Sequence, residues 1–338
     1  MPESDNLVEQ VLAGNRRALA RLISLVEDGT PEANEAISVL YSHTGSAYTI
    51  GVTGAPGTGK SCLVTELVKH LRTQDKRVAV VAVDPSSPFT GGALLGDRFR
   101  MRDLAGDPGV FIRSMATRGQ LGGVARATFD VMRVLDAAGF DYVIVETVGA
   151  GQNEVEIARV ADTVVLVDAP GMGDDIQAIK AGILEIADVI VVNKADRPGV
   201  KNTVRALKAM LELGHRKREI SHHGQVMIQT DGFEKTLIDD MWQVPVLQTI
   251  ATQGEGIEEL AQAVLNHAEY LSSTGIQAER DRVRLQNELI NRLRDRLVYD
   301  LLQRMPSQDL EKLVTAIAAR ELDPASAVQS LVSNSKHE

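Results

Sequence analysis

The chain has 338 residues, is 44% hydrophobic and carries a formal net charge of −10. This is enough for one large core with smaller attached segments, and the acidic balance argues against a nucleic-acid-binding protein. The single cysteine excludes an internal disulfide. Because no apolar run is long enough to cross a membrane and the acidic start MPESDNLVEQ is neither a signal nor a transit peptide, we expect a cytoplasmic protein.

The first 45 residues are predicted to form a helical extension. Apolar residues recur at helical spacing, for example Leu19, Leu22 and Val26. Asn15 is a candidate N-cap, and Thr30-Pro31 has the pattern of a second helix start.

Residues 46–270 alternate short Val/Ile-rich runs with helical stretches, near 124–137, 175–186, 200–213 and 256–270. Continuous apolar runs of this kind are typical of strands in a parallel sheet that is covered on both faces. We therefore predict an α/β fold with a doubly wound, mostly parallel sheet. The predicted strands are Tyr48–Val52, Val78–Val83, Val110–Ile112, Tyr142–Val145, Val164–Val167, Val189–Val192 and Val244–Leu247.

Residues 271–338 are predicted to be a helical C-terminal arm. Leucines step by four residues from Leu285 to Leu301, and charged residues fill the remaining positions. Two interpretations stay open: an arm for dimerisation, or a helix that packs on its own domain.

A phosphate-binding loop is predicted by the stretch GVTGAPGTGKSCLVTEL, because it places the pattern G-x-x-x-x-G-K-S between a strand and a helix. Glycines allow the backbone to surround an anion with N–H groups, and the helix N-terminus adds partial positive charge. Lys60 is placed to reach the β- and γ-phosphates and Ser61 to bind Mg²⁺. For Cys62 a plain buried residue is the alternative interpretation. The predicted nucleotide-binding residues of the loop are Gly54, Ala55, Pro56, Gly57, Thr58, Gly59, Lys60, Ser61 and Cys62.

Acidic residues for a metal ion are expected at strand ends. Glu146 ends one apolar strand and Asp84 another, so both should lie at the carboxyl edge of the sheet, where ligands collect in open α/β folds. Asp97 is a third candidate, with a loop or helix cap as its alternative. The spacing Glu146-x-x-Gly149 has the form of a switch in which the glycine N–H bonds the γ-phosphate.

The run VIVVNKADRPG indicates which base is bound. An aspartate at position 196 can accept hydrogen bonds from the guanine N1–H and amine together, which adenine cannot match. Lys194 can cover the ring face, and Asn193 can tie this loop to the phosphate site. A later stretch that follows the last strand is predicted to supply a backbone N–H to the guanine O6, and its residues are Thr249, Ile250 and Ala251.

Four longer stretches resemble the methylmalonyl-CoA mutase-associated GTPases, also called the MeaB/ArgK type. They are VDPSSPFTGGALLGDRFRM, ETVGAGQNEVEI, APGMGDDIQAIKAGILEIADVIVVNKADR and WQVPVLQTIATQGEGI, and the similarity extends over roughly residues 5–330.

This resemblance implies a GTP hydrolase with Mg²⁺ that acts as a chaperone of an adenosylcobalamin-dependent acyl-CoA mutase. It implies a homodimer that uses the C-terminal arm, and it implies that Asp84, Asp97 and Glu146 surround the metal ion. It also implies a second switch loop over 171–180, from which Lys180 reaches the nucleotide site and Glu146. The predicted catalytic residues are Lys60, Glu146 and Lys180.

Two other functions share parts of this pattern. A metal-insertion GTPase would need a Cys/His ligand cluster, but Cys62 is the only cysteine and adjoins the phosphate loop. A P-loop kinase of a small substrate shares the loop, but Asn193-Lys194-x-Asp196 argues against it. Gln152 is a candidate for orienting the attacking water, with a switch residue of no catalytic contact as its alternative.

Overall fold

The structure is a computed structural model that describes residues 3–84, 101–104, 106–116, 123–147, 157–171, 183–219, 242–305 and 307–334. The chain divides into two units, Met1–Gln277 and Ala278–Glu338. No helix in the described ranges is long and apolar enough to cross a membrane.

Seven parallel strands form one sheet in the order β3-β2-β4-β1-β5-β6-β7, which confirms the predicted fold class. The strands at the centre are buried almost throughout, as continuous Val/Ile runs require. Their bounds are β1 Tyr48–Thr53, β2 Val78–Asp84, β3 Val110–Ala116, β4 Tyr142–Thr147, β5 Thr163–Asp168, β6 Val189–Asn193 and β7 Val246–Thr249.

Three helices precede the sheet, α1 (Glu3–Leu12), α2 (Arg16–Glu27) and α3 (Pro31–Leu40). Both predicted helix starts are confirmed: the Asn15 side chain accepts from the N–H groups of Arg17 and Ala18, and Thr30 accepts from that of Ala33. The apolar faces of these helices join strands β2, β3 and β4 in one continuous core.

Four further helices in the described ranges of the first unit cover the sheet. Helix α5 packs with the N-terminal helices on one face, whereas α4 and α7 share a core with β1 and β6 on the other. Helix α6 packs through Leu207 against β5 and β6 in a third cluster. The bounds of these helices are α4 Lys60–Thr73, α5 Gly123–Ala137, α6 Val200–Glu219 and α7 Ile257–Ser273.

Aspartates stand directly before three of the strands and close the amino edge of the sheet. Asp141 precedes β4 and accepts from Arg77 N–H beside β2 at 2.7 Å. Asp162 precedes β5 and accepts from Thr49 N–H of β1 at 2.9 Å. Asp188 precedes β6 and accepts from Val164 N–H of β5 at 2.9 Å. Each carboxylate thus satisfies a backbone donor in, or directly before, the neighbouring strand.

A buried polar cluster lies behind the same edge. The His267 ring, which is fully buried, places Nδ1 2.7 Å from Thr163 Oγ1 and Nε2 3.2 Å from Asp188 Oδ1. The Trp242 ring packs against the His267 ring in a tilted arrangement, with 4.9 Å between centroids, and its Nε1 donates to the Asp188 carbonyl oxygen. Trp242 therefore has a packing role beside this buried cluster.

The second unit consists of helices, as predicted for the C-terminal segment. Helix α8 (Ile276–Arg304) is followed by α9 (Ser307–Ala318) and α10 (Pro324–Asn334). None of the residues of α8 is fully buried, and its leucines are exposed, Leu289 by 68% and Leu293 by 56%.

Two strand boundaries differ from prediction. The edge strand β3 extends to Ala116 instead of Ile112, since its pairing with β2 continues to the Asp84–Ala116 pair. Arg113, which interrupts the apolar run, bonds Glu27 and Ser24 of α2. Strand β7 is shifted towards the C-terminus, since its register pairs Thr249 with Asn193.

Candidate nucleotide-binding site

The predicted phosphate loop connects β1 to α4 at the carboxyl edge of the sheet. Its glycines have positive φ angles, 136° at Gly54, 81° at Gly57 and 96° at Gly59. A side chain at Gly54 would collide with the backbone carbonyl of Val167 in β5, and one at Gly59 would collide with the amide of Asn193. The loop is therefore held against the ends of β5 and β6 at positions that favour glycine.

Lys60 lies under this loop with its side chain buried. Its Nζ donates to the carbonyl oxygens of Gly54 at 2.6 Å and Ala55 at 3.2 Å. Two carbonyl oxygens of the loop thus hold the ammonium group next to the loop N–H groups that are expected to bind phosphate. A buried charge of this kind interacts more strongly with a phosphate than a solvated one would.

Ser61 and Glu146 meet at the metal position expected from the sequence. Ser61 Oγ donates to Glu146 Oε1 at 2.7 Å, and Glu146 is only 1% exposed. Strand pairing explains the approach, because β4 lies beside β1 with Glu146 opposite Val52. A hydroxyl and a carboxylate oxygen are ligands that Mg²⁺ prefers, so the donor set fits this ion.

The other predicted metal and switch residues are described only in part. Asp84 ends β2, the strand next to β4, so its backbone lies at the same edge as Glu146. Its side chain, and all of Asp97, Gly149, Gln152 and Lys180, lie outside the described residues. Within the described residues no group of three or more His, Cys, Asp or Glu side chains is arranged to hold a metal ion.

Asn193 joins the guanine motif to the phosphate loop, as the sequence predicted. Asn193 is the last residue of β6 and is 2% exposed. Its Nδ2 donates to the carbonyl oxygen of Thr58 at 2.9 Å. Its Oδ1 accepts from Thr249 Oγ1 and from Ala251 N–H, both at 3.1 Å. One buried amide therefore fixes three loops relative to each other.

Lys194 and Asp196 come after Asn193 in the guanine motif; Lys194 is half-buried and Asp196 is exposed. Lys194 has a φ of 57°, an uncommon conformation for a residue with a side chain, and its Nζ donates to the carbonyl oxygen of Gly57 at 2.6 Å. This contact lays the aliphatic stem along the loop, where it can cover a base. Asp196 is exposed at the mouth of the same site, so its carboxylate is accessible to a base edge.

In the loop after β7, the backbone N–H groups that were predicted to reach the guanine O6 have partners within the protein. Ile250 N–H donates to the Glu255 carbonyl oxygen at 3.0 Å, and Ala251 N–H is taken by Asn193. Both N–H groups are therefore engaged within the protein, and these contacts shape the loop. Thr249 likewise acts on the site through Asn193.

Cys62 is half-buried in the first turn of α4 and packs against the core under the sheet. Burial, and secondarily the nearby Glu66 carboxylate, raise the pKa of its thiol. A raised pKa lowers the thiolate fraction, which favours the plain packing interpretation over a reactive thiol.

One carboxylate at this edge was missed by sequence reasoning. Asp168 ends β5, between the strand of the phosphate loop and the strand of Asn193, and is only 6% exposed. Its Oδ1 accepts from Ala169 N–H at 2.9 Å. The signal was present, since VVLVD ends in an aspartate in the same way as VAVVAVD, which ends at Asp84.

Comparison with known proteins agrees with this geometry. A GTPase of Escherichia coli, ArgK, is 36% identical over 275 residues, covering 79% of this chain and 77% of its own. A protein of Pyrococcus abyssi to which GTPase activity is ascribed is 44% identical over 97% of this chain and 95% of its own. The crystal structure of an LAO/AO transport system kinase matches 99% of both chains with a TM-score of 0.68 and 25% identity.

The family model of the methylmalonyl-CoA mutase-associated GTPase MeaB matches residues 19–306, which include the phosphate loop, Glu146 and the guanine motif. This match extends over most of the chain, and the resemblance seen in the sequence is confirmed. The chain is a P-loop GTP hydrolase and belongs to the MeaB family of methylmalonyl-CoA mutase-associated GTPases.

Proposed function

We propose that the protein is a GTP-driven chaperone of an adenosylcobalamin-dependent acyl-CoA mutase, methylmalonyl-CoA mutase or a close relative. In this role it gates loading of the cofactor and protects or reactivates the mutase. The observation that carries the nucleotide part is the Asn193 amide, which joins the guanine motif to the phosphate loop through Thr58. The description of the matching family as mutase-associated supports the partner.

Within the site, each side chain has a defined task. Lys60 neutralises charge on the transferred phosphoryl group, and the loop N–H groups hold its oxygens during in-line attack by water. Asp196 reads the guanine edge, and the Lys194 stem covers the ring. Because positioning and charge neutralisation dominate phosphoryl transfer, these residues act by holding GTP rigidly instead of by covalent chemistry.

Ser61 and Glu146 are the described residues that would hold Mg²⁺, with Asp84 and Asp97 proposed to complete its surroundings. The ion, when bound, neutralises negative charge on the β- and γ-phosphates. Gly149 and Lys180 are proposed as switch residues, with Lys180 moving towards Glu146 when the mutase binds.

The C-terminal unit is proposed to hold two copies together. On α8, large apolar side chains at a spacing of four residues stay between 48% and 68% exposed. A contiguous apolar face of this kind marks a protein interface. These residues are Leu285, Leu289, Leu293 and Leu297. Leu289→Glu with Leu293→Glu is expected to yield monomers in sedimentation analysis.

The test is phosphate release from GTP by the pure protein with Mg²⁺, alone and with methylmalonyl-, isobutyryl-, ethylmalonyl- or hydroxyisobutyryl-CoA mutase. Stimulation by one mutase supports the chaperone function and names its partner. No acceptor substrate is present, so steady phosphate release also excludes a kinase of a small substrate. Normal GTP hydrolysis without stimulation by any mutase would overturn the chaperone proposal.

A further inference from the structure

A stripe of positive charge runs along the outer face of α6, on a chain that is acidic overall. Lys201, Arg205 and Lys208 are exposed and follow one another at helical spacing, and Arg197 precedes them just before the helix. We call these four residues the α6 stripe. The sequence from 197 to 218 contains seven lysine and arginine residues and a single glutamate, Glu212, whereas the whole chain has a net charge of −10.

The four side chains of the α6 stripe have no partner in the described part of the chain. No ion pair, hydrogen bond or ring contact of theirs is found there. Two cations elsewhere on the described surface are paired locally, Lys69 with Glu66 and Lys312 with Asp309. Like charges spaced by three or four residues repel each other and destabilise a helix slightly. The stripe therefore costs the isolated protein some stability without any compensating contact among the described residues.

The helix that carries the α6 stripe packs firmly on the sheet beside the predicted guanine site. Leu207, 1% exposed, anchors the inner face of α6 on Ile190 and Val192 of β6. The same strand ends in Asn193, and Arg197 comes directly after Asp196 of the guanine motif. Arg197 N–H also donates to the Lys194 carbonyl oxygen at 3.0 Å. A partner on this face therefore contacts an element that is continuous with the loop expected to read the base.

The geometry points to the α6 stripe as the docking surface for an acidic face of the acyl-CoA mutase, an inference that rests on the proposed function. A second copy fits poorly, since the apolar face that suits a stable dimer lies on α8 and the stripe itself is wholly charged. Nucleic acid fits poorly as well, because the described stripe carries no aromatic side chain for stacking and the protein is acidic. A charged, polar surface suits a partner that binds and leaves during the GTP cycle.

The experiment uses the full-length protein and the mutase that stimulates the wild type most. Lys201→Glu with Arg205→Glu reverses two charges of the stripe. The matched control is Arg17→Glu with Arg21→Glu, two exposed helical cations on α2 with the same spacing and the same change in net charge. Basal GTP hydrolysis and GTP affinity of each variant verify that the fold is intact.

We expect the stripe variant to keep basal hydrolysis while the mutase concentration for half-maximal stimulation rises by about tenfold or more. For the control variant, the mutase concentration for half-maximal stimulation should stay within about twofold of the wild-type concentration. For the wild type, this concentration should rise with salt, because salt screens exposed charges. Lys201→Ala with Arg205→Ala should give an intermediate shift.

Equal half-maximal concentrations for the wild type and the stripe variant would overturn the proposal, as would equal losses in both reversal variants. A gel shift of a mixed-sequence RNA by the wild type that the stripe variant loses would assign the surface to nucleic acid instead. Failure of the proposed function is distinguishable, because then no mutase stimulates the wild type at all.

Discussion

The two edges of the sheet use polar side chains for different purposes. At the amino edge, Asp141, Asp162 and Asp188 each accept from a backbone N–H of the neighbouring strand. At the carboxyl edge, Glu146 and Asn193 bind loops that connect strands to helices. Strand direction decides the difference, because ligands in open parallel sheets collect beyond the carboxyl ends. An acidic residue next to an apolar run therefore predicts structure when it precedes the strand and a binding site when it follows.

The largest expected effect is at the carboxyl edge, with Lys60→Ala. Removal of the buried ammonium should lower the rate of GTP hydrolysis by about 100-fold or more, because one preorganised donor to developing charge is typically worth that much. Phosphate release at saturating GTP measures it. Lys69→Ala is the control on the same helix, as Lys69 is exposed and pairs with Glu66. Hydrolysis by Lys60→Ala at near the wild-type rate would contradict the assignment.

Next is a comparison of two glycines with positive φ. Gly54→Ala should weaken GTP binding by about 100-fold, since the methyl group would collide with the Val167 carbonyl and displace the loop. Gly14→Ala meets nothing within 4 Å, so it should cost only about 1 kcal/mol of stability from backbone strain. Titration calorimetry and urea unfolding separate the two. Equal effects of both substitutions on GTP affinity would show that the loop has room to adapt.

At the amino edge, Asp188→Ala should destabilise the protein by about 1–3 kcal/mol, because the buried Val164 N–H loses its acceptor. GTP affinity of the folded fraction should not change. Asp188→Asn keeps an oxygen acceptor and should lose less, and the exposed Glu269→Ala should lose almost nothing. A loss of GTP affinity at unchanged stability would place Asp188 in the functional site and contradict the division between the edges.

The smallest expected effect depends on pH. The hydrogen bond from Arg72, and then that from Gly109 N–H, hold the pKa of Asp107 below its usual value. The carboxylate therefore stabilises the fold above its unfolded pKa, and this contribution is lost as pH falls through the lower folded pKa. The difference in unfolding free energy between wild type and Asp107→Asn should be at most about 1 kcal/mol at pH 7 and should shrink below pH 4. Urea midpoints across this range measure it; a difference that grows on acidification would have the wrong sign.

Local patterns account for the parts that the sequence predicted well. The phosphate loop and the guanine motif each lie within a few residues of a strand end, so spacing alone located Lys60, Ser61 and Asn193. The core under the sheet was also readable, since continuous Val/Ile runs require burial on both faces.

Contacts between distant segments account for what spacing did not show. An amphipathic pattern does not reveal which core a helix joins, so the shared core of α1–α3 with β2–β4 was not foreseen. Likewise, nothing local indicates that Ala251 N–H is taken by Asn193, 58 residues away, and is thus engaged within the protein. The length of β3 follows from its pairing with β2 up to Asp84 and Ala116, a contact that the apolar run of β3 alone does not show.

The carboxyl edge of the sheet, on this account, binds a guanine nucleotide. The most direct test of this assignment is equilibrium binding of GTP and ATP, with Mg²⁺, to the wild type and to Asp196→Asn. We predict that the wild type binds GTP at least about 100-fold more tightly than ATP, since a carboxylate that hydrogen-bonds guanine is left unpaired by adenine. Asp196→Asn should remove most of this preference while the phosphate loop stays intact. Equal affinity of the wild type for both nucleotides, or an unchanged preference in the variant, would contradict the account.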